Sequence, residues 1–186
     1  KAEGELERVA NDLRALIETA NAPIFGIDKD GLVNEWNNKA AEITMYTSNE
    51  VKGRNLVDEF ITSEYKNAVR EVLDNALKGT EMANFEFPLF TKHGDRVEVL
   101  LNATTRRDAA GHIVGVVGVG QDITERKKAE GELERVAKDL RALIDTANAP
   151  IFGVDVDGNV TVWNKCAANI SGYTSEDTMG LHLVQQ

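Results

Sequence analysis

A single cysteine, Cys166, stands in the 186 residues, so no internal disulfide can form, and the paired spacing of a zinc site is missing. Cys166 is expected to be a small buried helix residue. Basic residues are also short: 21 Lys and Arg stand against 31 Asp and Glu, and the net charge of -10 opposes binding to a phosphate backbone, which needs clustered cations. The one basic run, Arg126-Lys127-Lys128, opens a Glu-rich helical stretch and reads as a solvated helix face, so no nucleic-acid partner is expected. No apolar run approaches the roughly 20 residues of a bilayer-spanning helix, and the acidic, amphipathic start is unlike a signal peptide. No membrane partner and a cytoplasmic location are therefore expected. Of three histidines, His93 and His112 sit beside glycine in turn sequences and His182 lacks an acidic neighbour, so no metal site and no phosphoacceptor is assigned. No glycine-rich loop opens a helix as a phosphate cradle must; Gly115, Gly118 and Gly120 lie inside a strand-like run and read as tight strand packing. With no catalytic motif, the chain is expected to show no turnover. The 42% hydrophobic and 28% charged content is that of a folded globular protein.

What is present is a repeat. KAEGELERVANDLRALIETANAPIFGID (1–28) returns as KAEGELERVAKDLRALIDTANAPIFGVD (128–155), offset by 127, and the differing pairs are Asn11/Lys138, Glu18/Asp145 and Ile27/Val154. A period that long indicates tandem domains. Each copy opens with an amphipathic helix whose apolar residues are spaced three, four and three apart: Leu6, Val9, Leu13 and Leu16, then Leu133, Val136, Leu140 and Leu143. This is the a/d pattern of a coiled-coil seam, and charges fill the rest of each helix. A narrow apolar stripe in water is best relieved by a second helix, so a parallel homodimer is expected through these eight residues.

Pro23 and Pro150 should end these helices near Asn21 and Asn148. Ile24 to Asp28 and Leu32 to Trp36 flank Lys29-Asp30-Gly31 and predict a hairpin. A short helix follows over Asn38 to Tyr46, then brief turns. A longer helix is expected from Thr62 or Ser63, both good N-caps, with Tyr65, Val69, Val72, Leu73 and Ala76 on one face and Gly79 as its terminator. Period-two runs then place Phe85, Phe87 and Leu89, and Val97, Val99 and Leu101, on two long antiparallel strands. Ile113 to Gln121 supplies a third strand, and Thr124 is the expected N-cap of the next helix. The fold class is α+β, a single antiparallel sheet with one face under short helices.

The stretches NAPIFGIDKDGLVNEWNNKAAEITMYTSNEVKGRNL and HGDRVEVLLNATTRRDAAGHIVGVVGVGQDITERKKAE resemble the two halves of the PAS (Per-ARNT-Sim) sensory family, the most specific pieces being Trp36-Asn37 and Asp122-Ile123-Thr124. Trp163-Asn164 repeats the first of these. The expected layout is an entrance helix at 1–20, a complete PAS domain at 21–124, a linker helix at 125–147 and the opening part of a second repeat at 148–186, marginal alone and ordered by packing or strand exchange. The closest flavour is similar to PAS repeats of sensor histidine kinases and plant-type phytochromes.

The resemblance implies a non-catalytic sensory and dimerisation module that passes its state through helices to a downstream output domain, such as a histidine kinase. Asp122, Ile123 and Thr124 would form the signal-relay junction. The alternative is a receptor with a small molecule between sheet and helices, for which Phe25, Trp36, Phe60, Phe85 and Phe87 are the candidate pocket, although aromatics at such spacing usually fill a core. In the flavin-binding LOV members an adduct-forming cysteine stands where this chain has Leu56, so the adduct is excluded, and Leu89, Val99 and Gly120 replace the flavin-contacting amides. Haem is not expected, because Asp58 to Gly79 contains no histidine. No cofactor is predicted.

Overall fold

The computed structural model describes residues 2–184, which form two compact units dividing after Lys127. In chain order the first unit carries α1 (Ala2–Thr19), β1 (Ile24–Asp28), β2 (Val33–Trp36), α2 (Asn38–Thr44), α3 (Ser48–Val51), α4 (Leu56–Phe60), α5 (Lys66–Leu77), β3 (Met82–Phe90), β4 (Arg96–Arg107) and β5 (Ile113–Asp122). Helix α6 (Thr124–Thr146) begins here and crosses the division.

The five strands make one antiparallel sheet in the order β2-β1-β5-β4-β3. Its β1–β2 turn is set by Asp28, whose Oδ1 accepts from the amides of Asp30 (2.9 Å) and Leu32 (3.0 Å), while Gly31 takes a φ of 78° that disfavours a side chain. Pro88 is tolerated because β3 is an edge strand. One face of the sheet carries Ile27, Val99, Leu101, Ala103 and Val116, and these pack with Val69, Val72, Leu73 and Ala76 of α5 and with Val33, Val51, Leu56 and Val57. Burying each Val, Leu or Ile among them contributes about 1.5–3 kcal/mol, so this layer is the main stabilising element of the unit.

Helix α5 starts later than its sequence suggests. The Tyr65 and Lys66 amides bond the Thr62 carbonyl in a preceding turn, and the Thr62 hydroxyl makes no hydrogen bond. The end is where it was expected: Gly79 has φ 91°, with its amide on Ala76 O and the Thr80 amide on Asn75 O.

The second unit holds the rest of α6, β6 (Phe152–Val154), β7 (Val160–Trp163), α7 (Lys165–Ser171) and α8 (Ser175–Thr178). Its sheet is the β6–β7 hairpin alone. Among its described apolar residues only Val160 and Ala167 are fully buried. Cys166 is half-buried in α7, not deeply enclosed as its sequence context suggests. His182 occupies the place of Asn55 in the first unit, pairing with Asn159 as Asn55 pairs with Leu32.

Candidate functional site

Two junctions tie helices to the first unit's sheet. At the entrance, Asn37 is fully buried and all four hydrogen-bonding positions of its amide are used. Its Oδ1 accepts from the amides of Ile24 at the start of β1 and Ala40 in α2, each at 2.9 Å. Its Nδ2 donates to the carbonyls of Ile17 in the last turn of α1 (2.9 Å) and Ala22 (2.8 Å). One side chain therefore caps α2, ends α1 and fixes the first strand. The Glu18 carboxylate also accepts from the Asn38 amide at 3.1 Å, a second tie between α1 and α2. The sequence marked Trp36-Asn37 as a family feature without seeing this role; the signal was an Asn placed just before a short helix, where an N-cap belongs. Trp36 supports the junction by donating its indole N–H to the Tyr46 carbonyl at 3.0 Å.

At the exit, Ile123 is buried and exchanges backbone contact with Glu98 of β4: its amide donates to the Glu98 carbonyl at 2.9 Å. Thr124 is the first helical residue and not the cap. Asp122 Oδ1 takes the capping role, accepting from the Thr124 amide (2.9 Å) and hydroxyl (2.6 Å). The Thr124 hydroxyl oxygen is thereby free to accept from the Glu98 amide at 3.0 Å, a bond from helix to strand. The carboxylate of Glu86 on β3 accepts from Arg126 (2.7 Å) and pairs with Lys127, and the Lys127 hydrogen bond, ahead of the nearby cationic charges, holds its carboxyl below the usual range.

The two junctions meet at one end of neighbouring strands. Ile24 pairs with Val119, and the Gly120 amide donates to the Pro23 carbonyl at 2.8 Å, so only Gln121 and Asp122 of β5 separate the last entrance contact from Ile123. Asp122, Ile123 and Thr124 are thus gathered at one joint.

The five candidate aromatics do not converge on a shared cavity. Trp36 and Phe87 belong to the buried cluster, with Phe25, Phe60 and Phe85 packed against it. They form separate contacts: Phe25 with Trp36 at 6.5 Å between centroids, Phe85 with Phe87 at 5.6 Å, and Phe60 with Tyr46 at 5.0 Å. Phe25 fills the space over Gly118, where an added Cβ would lie 2.2 Å from its ring, and a Cβ on Gly115 would lie 2.1 Å from the Ile27 carbonyl oxygen. A depression of about 160 Å³ lies beside α5, bounded by Ile27, Asn55, Val57, Arg70 and Leu73, without any of the five. Leu56 is buried in the core at the start of α4. The eight seam residues are all solvent-exposed, Leu13 at 55% and Leu140 at 56%.

The second unit reproduces the entrance junction. Asn164 accepts from Ile151 and Ala167 and donates to Ile144 and Ala149, all at 2.9 Å.

A family model described as "PAS fold" matches residues 11–123 and again 138–186. The chain belongs to the PAS family. Phytochrome B1 of Solanum lycopersicum and phytochrome 1 of Selaginella martensii are each 37% identical to it over 187 aligned positions, covering 97% of this chain. The chain spans 16% of the length of either. Among solved structures, the PAS domain of a Colwellia psychrerythraea protein superposes with a TM-score of 0.56 at 16% identity, covering 63% of this chain and 98% of that one. A sensory box histidine kinase/response regulator from Burkholderia thailandensis gives 0.52 at 20% identity, covering 70% and 98%. The α+β architecture, a five-stranded antiparallel sheet with flanking helices, is the PAS fold, and signal sensing is the role this membership supports. No described helix is long and apolar enough to cross a membrane.

Proposed function

We propose that this PAS chain is a dimeric relay: copies pair in parallel through Leu6, Val9, Leu13 and Leu16 and through Leu133, Val136, Leu140 and Leu143, and a change in the sheet alters how α6 leaves it. The observation that carries this reading is the Thr124 hydroxyl bound to the Glu98 amide, which makes the helix start part of the sheet's hydrogen-bond pattern. A strand shift at β4 would break that bond and release α6 from its docked start, a two-state element of the kind switches use. The parallel orientation is supported by charge. With Leu6 at an a position, Glu5 and Asp12 fall at g and Ala10 and Ile17 at e. Over this stretch and its copy at 132–146, parallel pairing sets each acidic g residue against an apolar e residue, whereas antiparallel pairing sets acid against acid.

The downstream partner in this reading is an output domain such as a histidine kinase, since sensor kinases and phytochromes are the proteins this chain is similar to. The relay is preferred over a small-molecule receptor because Phe25 and the buried cluster occupy most of the layer between sheet and helices and leave beside α5 a depression of about 160 Å³ that none of the candidate aromatics lines. The chain acts without catalysis of its own and inside the cell in this proposal. Light scattering on the full chain tests the pairing: the native protein is expected at twice the chain mass and the Leu13→Glu/Leu140→Glu variant at the chain mass, while equal masses for the two would reject it.

A further inference from the structure

Over the shared stretch of the seam, 5–19 and 132–146, the two helices present the same contact residues. Within the helical part of the repeat, α1 and α6 differ only at Asn11/Lys138 and Glu18/Asp145. Both pairs occupy the f position of the heptad, the one pointing away from a coiled-coil contact. Every a, d, e and g residue from Glu5 to Thr19 is matched at 132–146: Leu6 by Leu133, Val9 by Val136, Ala10 by Ala137, Asp12 by Asp139. The exposed stripes match too, Leu6 at 73% against Leu133 at 71%. Natural coiled coils that must choose a partner carry a buried polar a residue or complementary e and g charges. Within 5–19 and 132–146 the a and d positions are all apolar and the e positions Ala10, Ile17, Ala137 and Ile144 are uncharged, so acidic g residues of this stretch meet the same neutral neighbours whichever helix is opposite.

We infer that α1 of one copy accepts α6 of a second copy as well as it accepts that copy's α1, so this chain associates both in register and staggered by one 127-residue repeat. The inference rests on the parallel pairing proposed above. The two arrangements differ in closure. In register, two chains close two seams, and the second forms at an effective concentration of roughly millimolar order because the first has already joined the chains. Staggered, each contact closes one seam and leaves an α1 at one end and an α6 at the other, a head-to-tail contact that propagates. In-register dimers therefore dominate in dilute solution, and staggered species grow as protein concentration rises.

Disulfide trapping on the full chain separates the cases. Leu13→Cys and Leu140→Cys are made in chains that also carry Cys166→Ser, one of them isotopically labelled, then mixed, refolded together and oxidised at increasing concentration, with crosslinked peptides read by mass spectrometry. The expected result is 13–13, 140–140 and 13–140 crosslinks, the last rising with concentration. Crosslinks of the first two kinds without the third at any concentration would overturn the inference and leave the parallel dimer standing. No crosslink of any kind would remove both. A second variant checks the cause: Leu13→Asn places Asn opposite Asn in register but opposite Leu140 when staggered. It is expected to keep the dimer and lose the species heavier than the dimer by light scattering; persistence of those species would also overturn the inference.

Discussion

Asn37 and Asn164 make the same four hydrogen bonds with distances matching to 0.1 Å, yet their surroundings differ sharply. The ring pairs beside them are alike as well: Phe25 and Trp36 lie 6.5 Å apart at 47°, Phe152 and Trp163 6.2 Å apart at 51°. In the first unit β5 pairs with β1 and lays Gly118 under Phe25; in the second, Phe152 is 55% exposed. The entrance joint is therefore a local structure, specified within some twenty residues of sequence, and the burial that stabilises it comes from strands far along the chain. A two-stranded hairpin without such cover is marginal in water.

The contrast is broken most directly by hydrogen exchange. Amides of β1 and β2 are expected to open only with the whole unit, whereas those of β6 and β7 open locally, giving protection that differs by roughly 1,000-fold or more for a domain of ordinary stability. Equal protection would mean that the second hairpin is ordered by something other than its own unit. Next in size is Asn37→Ala, which strands the Ile24 and Ala40 amides and the Ala22 carbonyl and leaves the Ile17 carbonyl only the longer bond from the Ala20 amide (3.4 Å). Its expected cost is about 3–5 kcal/mol from several unsatisfied buried groups at ~1–3 kcal/mol each, read by thermal or urea unfolding of the first unit. Asn164→Ala should leave that transition unchanged.

Gly118→Ala drives a Cβ into the Phe25 ring and is expected to destabilise by about 1–3 kcal/mol. Combining it with Phe25→Ala should give less than the sum of the single effects, because both act at one contact; strict additivity in a double-mutant cycle would contradict the packing described. The smallest effect concerns acid. Glu86 titrates below an ordinary glutamate, so its tie to the first turn of α6 is fully present above the unfolded value near 4.5 and is lost as pH falls through the lowered folded value. The protection of the Arg126 and Lys127 amides, their exchange relative to the intrinsic rate at each pH, should fall over that acid range in the native protein and stay flat in Glu86→Gln.

Much of this was legible from residues. The apolar periods located the hairpin, the three long strands and the face of α5, and glycine marked where α5 ends, because these features depend on neighbours a few positions away. The tight fit of Gly115, Gly118 and Gly120 followed from their place inside a strand. The reading failed where the deciding hydrogen bonds are made by a group other than the one the sequence pattern points to. Thr124 looked like an N-cap, but Asp122 captures its amide and the hydroxyl turns to Glu98, a residue 26 positions earlier. Thr62 and Ser63 looked like caps, but the Thr62 carbonyl starts a turn ahead of the helix. Asn37 hid its importance because two of its partners, Ile17 and Ala22, belong to a separate helix and its linker.

The most direct test of the relay is whether the two junctions feel each other through β1 and β5. Amide exchange at Glu98, Ile123 and Thr124 should be measured in the native chain and in Asn37→Ala, which alters only the entrance. If the sheet couples the joints, the Glu98 and Ile123 amides will exchange faster in the variant at denaturant levels where the unit remains folded. Unchanged exchange at these amides, with Ile24 and Gly120 accelerated, would contradict the account, since the exit helix would then be blind to its own entrance.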